Sequence, residues 1–248
     1  MMTDNFFYPE WNVPSNIKSI QTQRSSGSSS GRFSSFNLSY DVGDEIASVR
    51  SNLLTLSSNL PSNPCWLNQI HGNNVIELPC NKNLLTADAS FTLQKKIVCA
   101  VRTADCLPIL LTNVDGDFVS AIHAGWRSMA SGIIENTLNK IKSKKEIIVW
   151  LGPCISEQSY EVGQQVFDTF TQYDPVSMCG FKKLPNNKYS LNLPKVALAK
   201  LGKMGVTRLF GAGVSESFCT YQDNNLFYSH RRDDVTGRMA SLIWIDSK

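Results

Sequence analysis

The chain has 248 residues, of which 42% are hydrophobic, enough for one large domain or two small ones with a real core. Its 24 basic and 21 acidic residues leave a net charge of +3, too small to argue for nucleic acid or an anionic membrane as a partner. The seven cysteines are odd in number and include no Cys-x-x-Cys pair, which speaks against a disulfide framework or a zinc ribbon and for a reducing compartment.

In chain order, Met1 to Trp11 shows no basic segment followed by an apolar one, so no signal peptide is expected. The longest apolar runs, such as Leu107 to Leu111, are too short to span a bilayer. A soluble, cytoplasmic protein is the expectation. Residues 1–16 read as a loose N-terminal segment, and Ile17 to Arg24 as a first strand. Ser25 to Gly31 consists of serine and glycine alone and reads as a flexible surface loop. Arg32 to Leu38 mixes apolar and hydrogen-bonding residues, as the wall of a pocket would.

Helical spacing over Asp44 to Ser58 puts Ile46, Val49, Leu53 and Leu56 on one face, behind a Gly43-Asp44 start signal. Trp66 to Ile70 and Val75 to Leu78 are strand-like, and Gly72-Asn73-Asn74 between them suits a hairpin. Ala87 to Ser90 is small and polar, and Ile97 to Val101 reads as a buried strand. Two further strands flank Val114-Asp115-Gly116-Asp117, a strong turn signal. Gly125 to Lys142 reads as one helix with Ile133, Ile134, Leu138 and Ile141 inward. The basic run Lys142, Lys144 and Lys145 suits a solvated helix end. Strand Ile147 to Leu151, helices Gly163 to Tyr173 and Pro194 to Met204, and strand Val206 to Phe210 follow. Leu226 to Tyr228 and Met239 to Ile245 close the set. Mixed strands and helices without repeats or a linker predict one α+β domain over residues 1–248, with helices against a mixed sheet.

The central hairpin carries the chemistry. Cys106 stands at the start of its first strand and His123 at the end of its second, so pairing brings them together. His71, in Asn-Gln-Ile-His-Gly, is another of only three histidines. A thiol and two imidazoles suit zinc or copper with an open fourth position. They equally suit a nucleophile–base pair, Cys106 with His123, and a thiol in an apolar run is commonly only structural. Arg127, in the first turn of the next helix, contacts an anion there or pairs with a surface acid. Trp126 reads as core. Ser229 to Arg238 holds three arginines, and Arg231 and Arg232 form either a fork for phosphate or a solvated loop. There is no Walker loop, GxGxxG, GxSxG or HExxH motif, which leaves P-loop hydrolysis, dinucleotide binding and zincin chemistry without support.

Ordered blocks along nearly the whole chain resemble the laccase-like multicopper polyphenol oxidase family, also described as purine nucleoside phosphorylases and peptidoglycan editing factors. The blocks are Ser34 to Leu38 with Val42-Gly43-Asp44, Asn68 to Gly72, Ala87-Asp88-Ala89, Thr103 to Pro108 and His123 to Arg127. Leu151 to Ile155, Tyr160 to Gly163 and Ser229 to Arg238 complete them. The resemblance implies His71, Cys106 and His123 as ligands of zinc, with copper as the alternative. It implies an α/β sandwich shared with bacterial cysteine-type toxin deamidases. The implied activity is phosphorolysis of adenosine, inosine, guanosine and methylthioadenosine, with some adenosine deamination; copper-dependent phenol oxidation is attributed to relatives. Three histidines cannot supply several coppers, so any oxidase here would be mononuclear. In this reading Arg127, or Arg231 and Arg232, holds phosphate, and Asn37 and Gln69 bond the nucleoside. A cysteine hydrolase or amidase acting on cell-wall precursors, with Cys106 and His123 as its catalytic pair, is the alternative. His230 and Asp234 depart from the Tyr and Gly of many relatives, which puts the substrate range around this loop in question.

Overall fold

The computed structural model describes residues 5–80 and 85–247, so the reading of the N-terminal segment falls partly outside the described residues. In chain order come β1 (Phe6–Phe7), β2 (Ile17–Thr22), α1 (Ile46–Ser57), β3 (Val75–Glu77), β4 (Ala89–Thr92) and β5 (Cys99–Thr103). Then follow β6 (Leu107–Asn113), β7 (Val119–Ala124), α2 (Trp126–Ala130), α3 (Ile133–Ile141), β8 (Ile147–Leu151) and β9 (Glu161–Gly163). Last are α4 (Gln164–Tyr173), β10 (Phe181–Leu184), β11 (Lys188–Leu191), α5 (Leu193–Lys203), β12 (Arg208–Gly211), α6 (His230–Asp233) and β13 (Met239–Ile245).

A six-stranded mixed sheet runs β12-β8-β6-β7-β4-β3, and a four-stranded antiparallel sheet runs β1-β2-β13-β5. A small sheet, β10-β11-β9, stands beside them. Successive strand residues face opposite sides, and β6 shows what that builds: Ile109 and Leu111 pack toward the helices with Met129, Ile134 and Val196. Leu110, between them, packs toward the second sheet with Val101, Trp150 and Ile243. The outer face of that sheet carries Ile20, Ala100, Leu242 and Trp244 against Leu38 and Leu56 of the α1 layer. The result is a helix–sheet–sheet–helix sandwich, the α+β class expected. Strands buried on both faces also explain the unbroken apolar runs in the sequence.

Several local expectations are corrected. Ile46 is 73% exposed, while Asn52 of the same helix is buried. Its amide tethers the chain ahead of it, donating to Ser29 Oγ, Ser35 O and Asn37 O. The serine–glycine stretch is therefore anchored: Ser28 N–H donates to Asn52 Oδ1 at 2.7 Å and Ser29 Oγ to Asp44 at 2.6 Å. No hairpin forms at Gly72-Asn73-Asn74; β3 instead pairs in parallel with β4, and Trp66 to Ile70 holds only an isolated bridge at Asn68. The helix expected over 125–142 is two helices, because Gly132 sits at φ +87° between them, a conformation glycine adopts without strain. Leu226 to Tyr228 is a turn and coil rather than a strand. All seven cysteines are free thiols. Among the described residues no helix is long and apolar enough to cross a membrane.

Candidate metal centre

Register places the hairpin's two ends together: Leu107 pairs with Ala124 and Pro108 with His123. Cys106 precedes β6 by one residue, after Asp105, whose φ is +91°. That bend is held by its own carboxylate, which accepts from Thr220 Oγ1 at 2.6 Å and from the Arg231 N–H at 2.6 Å. His71 lies in a turn at φ +58°. Its Nε2 is 3.8 Å from Cys106 Sγ, and its ring meets that of His123 edge-on with centroids 4.7 Å apart. One donor atom each from His71, Cys106 and His123 lies within 4.8 Å of the other two.

Asp88 organises this set. It is fully buried and lies 2.8 Å from His123 Nδ1, which orients the ring and leaves Nε2 for the cleft. It also accepts the main-chain N–H groups of Ile70 (3.3 Å), His71 (2.9 Å) and Gly72 (2.6 Å). One carboxylate thus fixes two of the three donors. Burial alone would raise its pKa, but His123 and the N–H groups outweigh burial and hold it below the usual carboxylate range.

The residues present fit a metal. The donor atoms of a tetrahedral zinc site with these ligands stand roughly 3.5 Å apart, close to the spacing found between Cys106 and His71. A carboxylate behind a ligating histidine is the usual supporting arrangement. Space is kept clear as well: a Cβ on Gly125 would fall 2.9 Å from Cys106 Sγ and 3.1 Å from His71 Cδ2. With no metal, burial pushes the Cys106 thiol up, but His123 and His71 outweigh this and bring its pKa down to about 6. Burial lowers His123, but the Cys106 thiolate and Asp88 raise it to about 9. The shifts run in the direction that suits a nucleophile–base pair as well as a ligand set.

The three donors border a cleft of about 630 Å³. Arg127 lines it and lies over the Trp126 ring at 4.3 Å; Arg231 lines it over Tyr160 at 4.9 Å. Trp126 is thus a cleft wall as well as a core neighbour. Two residues expected to contact substrate, Asn37 and Arg232, are not among those lining this cleft. Asn37 is fully buried, with its amide donating to Ser39 O and Asp44 and its Oδ1 accepting from the Ser39 and Arg238 N–H groups; it shapes the wall from behind. Arg232 turns away and donates to Thr220 O, Tyr221 O, Phe227 O and Asp233, so it clamps the C-terminal loop. Gln69 borders the cleft, but its amide bonds the Arg102 main chain in both directions at 2.8 Å. Arg238 and His230, of the loop read from sequence as a phosphate fork or a solvated segment, also line the cleft, and so do Arg102 and Tyr160, to which the sequence reading gave no role. Asp88 carried a readable signal besides its place in a shared block: a lone carboxylate between two alanines ahead of a strand, where burial demands partners.

Known proteins resemble this chain over almost its full length. A purine nucleoside phosphorylase of Haemophilus influenzae is 40% identical, covering 96% of this chain and 98% of that one. The Escherichia coli purine nucleoside phosphorylase YfiH is 38% identical over 96% of this chain and 97% of its own. A crystal structure of a Neisseria meningitidis protein superposes with a TM-score of 0.91 at 38% identity, covering 98% of this chain and 100% of that one. The family described as multi-copper polyphenol oxidoreductase laccase matches residues 18–246, and with the donor set and the relatives in agreement, this chain belongs to that family.

Proposed function

We propose that this protein is a metal-dependent purine nucleoside phosphorylase, with adenosine, inosine, guanosine and methylthioadenosine as substrates and adenosine deamination as a second activity. The observation that carries the reading is one cleft in which a His-Cys-His donor set adjoins Arg127 and Arg231, which have no carboxylate within ion-pair reach among the described residues. The names of the relatives at 38–40% identity support it. His71, Cys106 and His123 would hold zinc, with copper as the alternative. When bound, the metal supplies Lewis-acid polarisation of an atom in its open position.

The chain's own residues bind and orient. Arg127 and Arg231 hold hydrogen phosphate by charge-assisted hydrogen bonds. Its oxygen bonds to C1′ of the ribose as the C1′–N9 bond breaks. The electron pair leaves with the purine, and the proton of hydrogen phosphate ends on the purine nitrogen. Holding both reactants in one cleft lowers the entropic part of the barrier. In deamination, water supplies the oxygen and ammonia leaves from the purine ring.

The test measures metal content and follows adenosine plus phosphate by chromatography, with wild type and Cys106→Ala. Adenine and ribose 1-phosphate formed only by the metal-loaded wild type support the reading. Undiminished turnover by Cys106→Ala contradicts it. A second reading, a cysteine hydrolase or amidase, draws on the thiolate pKa of about 6 beside an imidazolium. It predicts inactivation by thiol alkylation and full activity after metal removal.

A further inference from the structure

Four arginines border the cleft: Arg102, Arg127, Arg231 and Arg238. Free phosphate carries at most two charges near neutral pH, which two guanidinium groups offset. Among the described residues only Arg102 has a carboxylate within ion-pair reach, Asp41 at 3.9 Å, and that side chain is 85% exposed. Solvent weakens such a pair. Arg127, Arg231 and Arg238 have no such carboxylate among the described residues. Asp41 and Asp105 also line the cleft, but Asp105 is already engaged by Thr220 Oγ1 and the Arg231 N–H, so the lining stays positive on balance, and a net positive recess concentrates anions.

The arginines fall into two pairs. Arg127 and Arg231 lie against the Trp126 and Tyr160 rings. Arg102 lies in β5 of the other sheet and Arg238 immediately precedes its neighbour β13, where Arg102 pairs with Ala240, two residues beyond Arg238. Arg102 uses one nitrogen on Leu38 O and Ser39 Oγ. Arg238 uses Nη1 on the carbonyls of Thr236 and Gly237, and its Nε and Nη2 have no acceptor among the described residues. The Thr103 hydroxyl, in a residue 2% exposed that lines the same cleft, also lacks a partner among the described residues. Donors without acceptors at the edge of a cleft are a cost that a bound anion removes.

We propose that Arg102 and Arg238 form a second anion subsite that receives a phosphate carried by the substrate itself, so that the preferred substrate is a purine nucleoside 5′-phosphate. The inference rests on the phosphorylase reading. With C1′ turned toward phosphate held by Arg127 and Arg231, the 5′ carbon is the ribose position that projects away from the reacting bonds. A phosphate there reaches beyond the sugar without blocking attack. The cleft volume falls within the ~300–1,000 Å³ of small-molecule sites. Bond changes are those already given: hydrogen phosphate bonds to C1′, the base leaves with the electron pair and takes the proton. The sugar product is then ribose 1,5-bisphosphate.

The test compares adenosine, AMP and inorganic pyrophosphate on the metal-loaded full chain, by calorimetry for binding and chromatography for turnover. AMP is expected to bind about tenfold or more tighter than adenosine and to yield adenine with ribose 1,5-bisphosphate. In Arg238→Gln the ratio of kcat/KM for AMP over adenosine is expected to fall roughly tenfold to hundredfold. Should that variant fail to fold, the wild-type binding comparison decides alone. Adenosine split while AMP binds no tighter overturns the inference and leaves the phosphorylase reading standing. Pyrophosphate binding tighter than AMP assigns the subsite to a free anion and overturns it too. Neither nucleoside nor nucleotide split overturns both.

Discussion

Asp88 and Asp174 are both buried carboxylates held below the usual carboxylate range, yet they serve different ends. Burial would raise Asp174, but Lys200 and Lys203 outweigh it, at 2.8 and 3.2 Å. Lys200, only 3% exposed, also reaches Glu135 at 2.7 Å and so ties α5 to α3. Among the described residues Asp88 has no lysine or arginine within ion-pair reach; its partners are three main-chain N–H groups and one imidazole. A carboxylate matched by a buried cation is spent on packing. A carboxylate matched by a turn and a histidine positions groups whose remaining donor atoms still face the cleft.

Lys200→Met gives the largest expected effect on the packing side. It leaves Glu135 without its lysine and Asp174 with Lys203 alone, and should cost about 3–5 kcal/mol in denaturant unfolding, while the folded fraction keeps its metal. Loss of metal from that folded fraction would break the division between the two regions. Gly125→Ala acts in the other region. Overpacking of about 1–3 kcal/mol falls on the donors, so metal affinity measured by competition should weaken by about 10- to 100-fold. Asp88→Asn keeps the shape but removes the charge behind His123 and the His71 turn. Metal affinity should again fall by about 10- to 100-fold, and an unchanged affinity would reduce Asp88 to a packing residue like Asp174.

The acid limb of stability sharpens the contrast. The pKa of Asp174 is depressed in the folded state, so its contribution is fully present above the unfolded carboxylate value of about 3.9 and is lost as pH falls through the lower folded value. Stability measured over that window should decline in wild type and decline less in Lys200→Met. The smallest effect belongs to a residue in neither region: Ile46→Ser, at a site 73% exposed, should change stability by no more than about 0.5 kcal/mol.

What could be read from the sequence was local. The turn Val114 to Asp117 and the apolar runs around it carry the β6–β7 hairpin, and that pairing alone brings Cys106 beside His123. His71 arrives by a route no local pattern encodes. Its turn is held by Asp88, from the start of a different strand, and β3 pairs in parallel with β4 where the nearby glycine and asparagines suggested a hairpin. Arg102 and Arg238 meet because β5 and β13 pair across most of the chain. Arg231 and Arg232 are neighbours with the same chemistry, yet Arg231 lines the cleft with one nitrogen on Glu161 O, whereas Arg232 lies outside that lining and is used up on Thr220 O, Tyr221 O, Phe227 O and Asp233. Ile46 faces solvent although helical spacing places it inward, because spacing counts apolar residues whereas tethering the 25–37 segment requires Asn52 inward.

The most direct test of the metal centre is a cobalt(II) titration followed by absorbance, because a thiolate ligand adds a sulfur-to-cobalt charge-transfer band to the tetrahedral visible spectrum. The account predicts that band in wild type, saturating at one equivalent, retained in Cys154→Ala and Cys219→Ala and absent in Cys106→Ala. A band that persists undiminished in Cys106→Ala, or a wild-type spectrum without one, would contradict it.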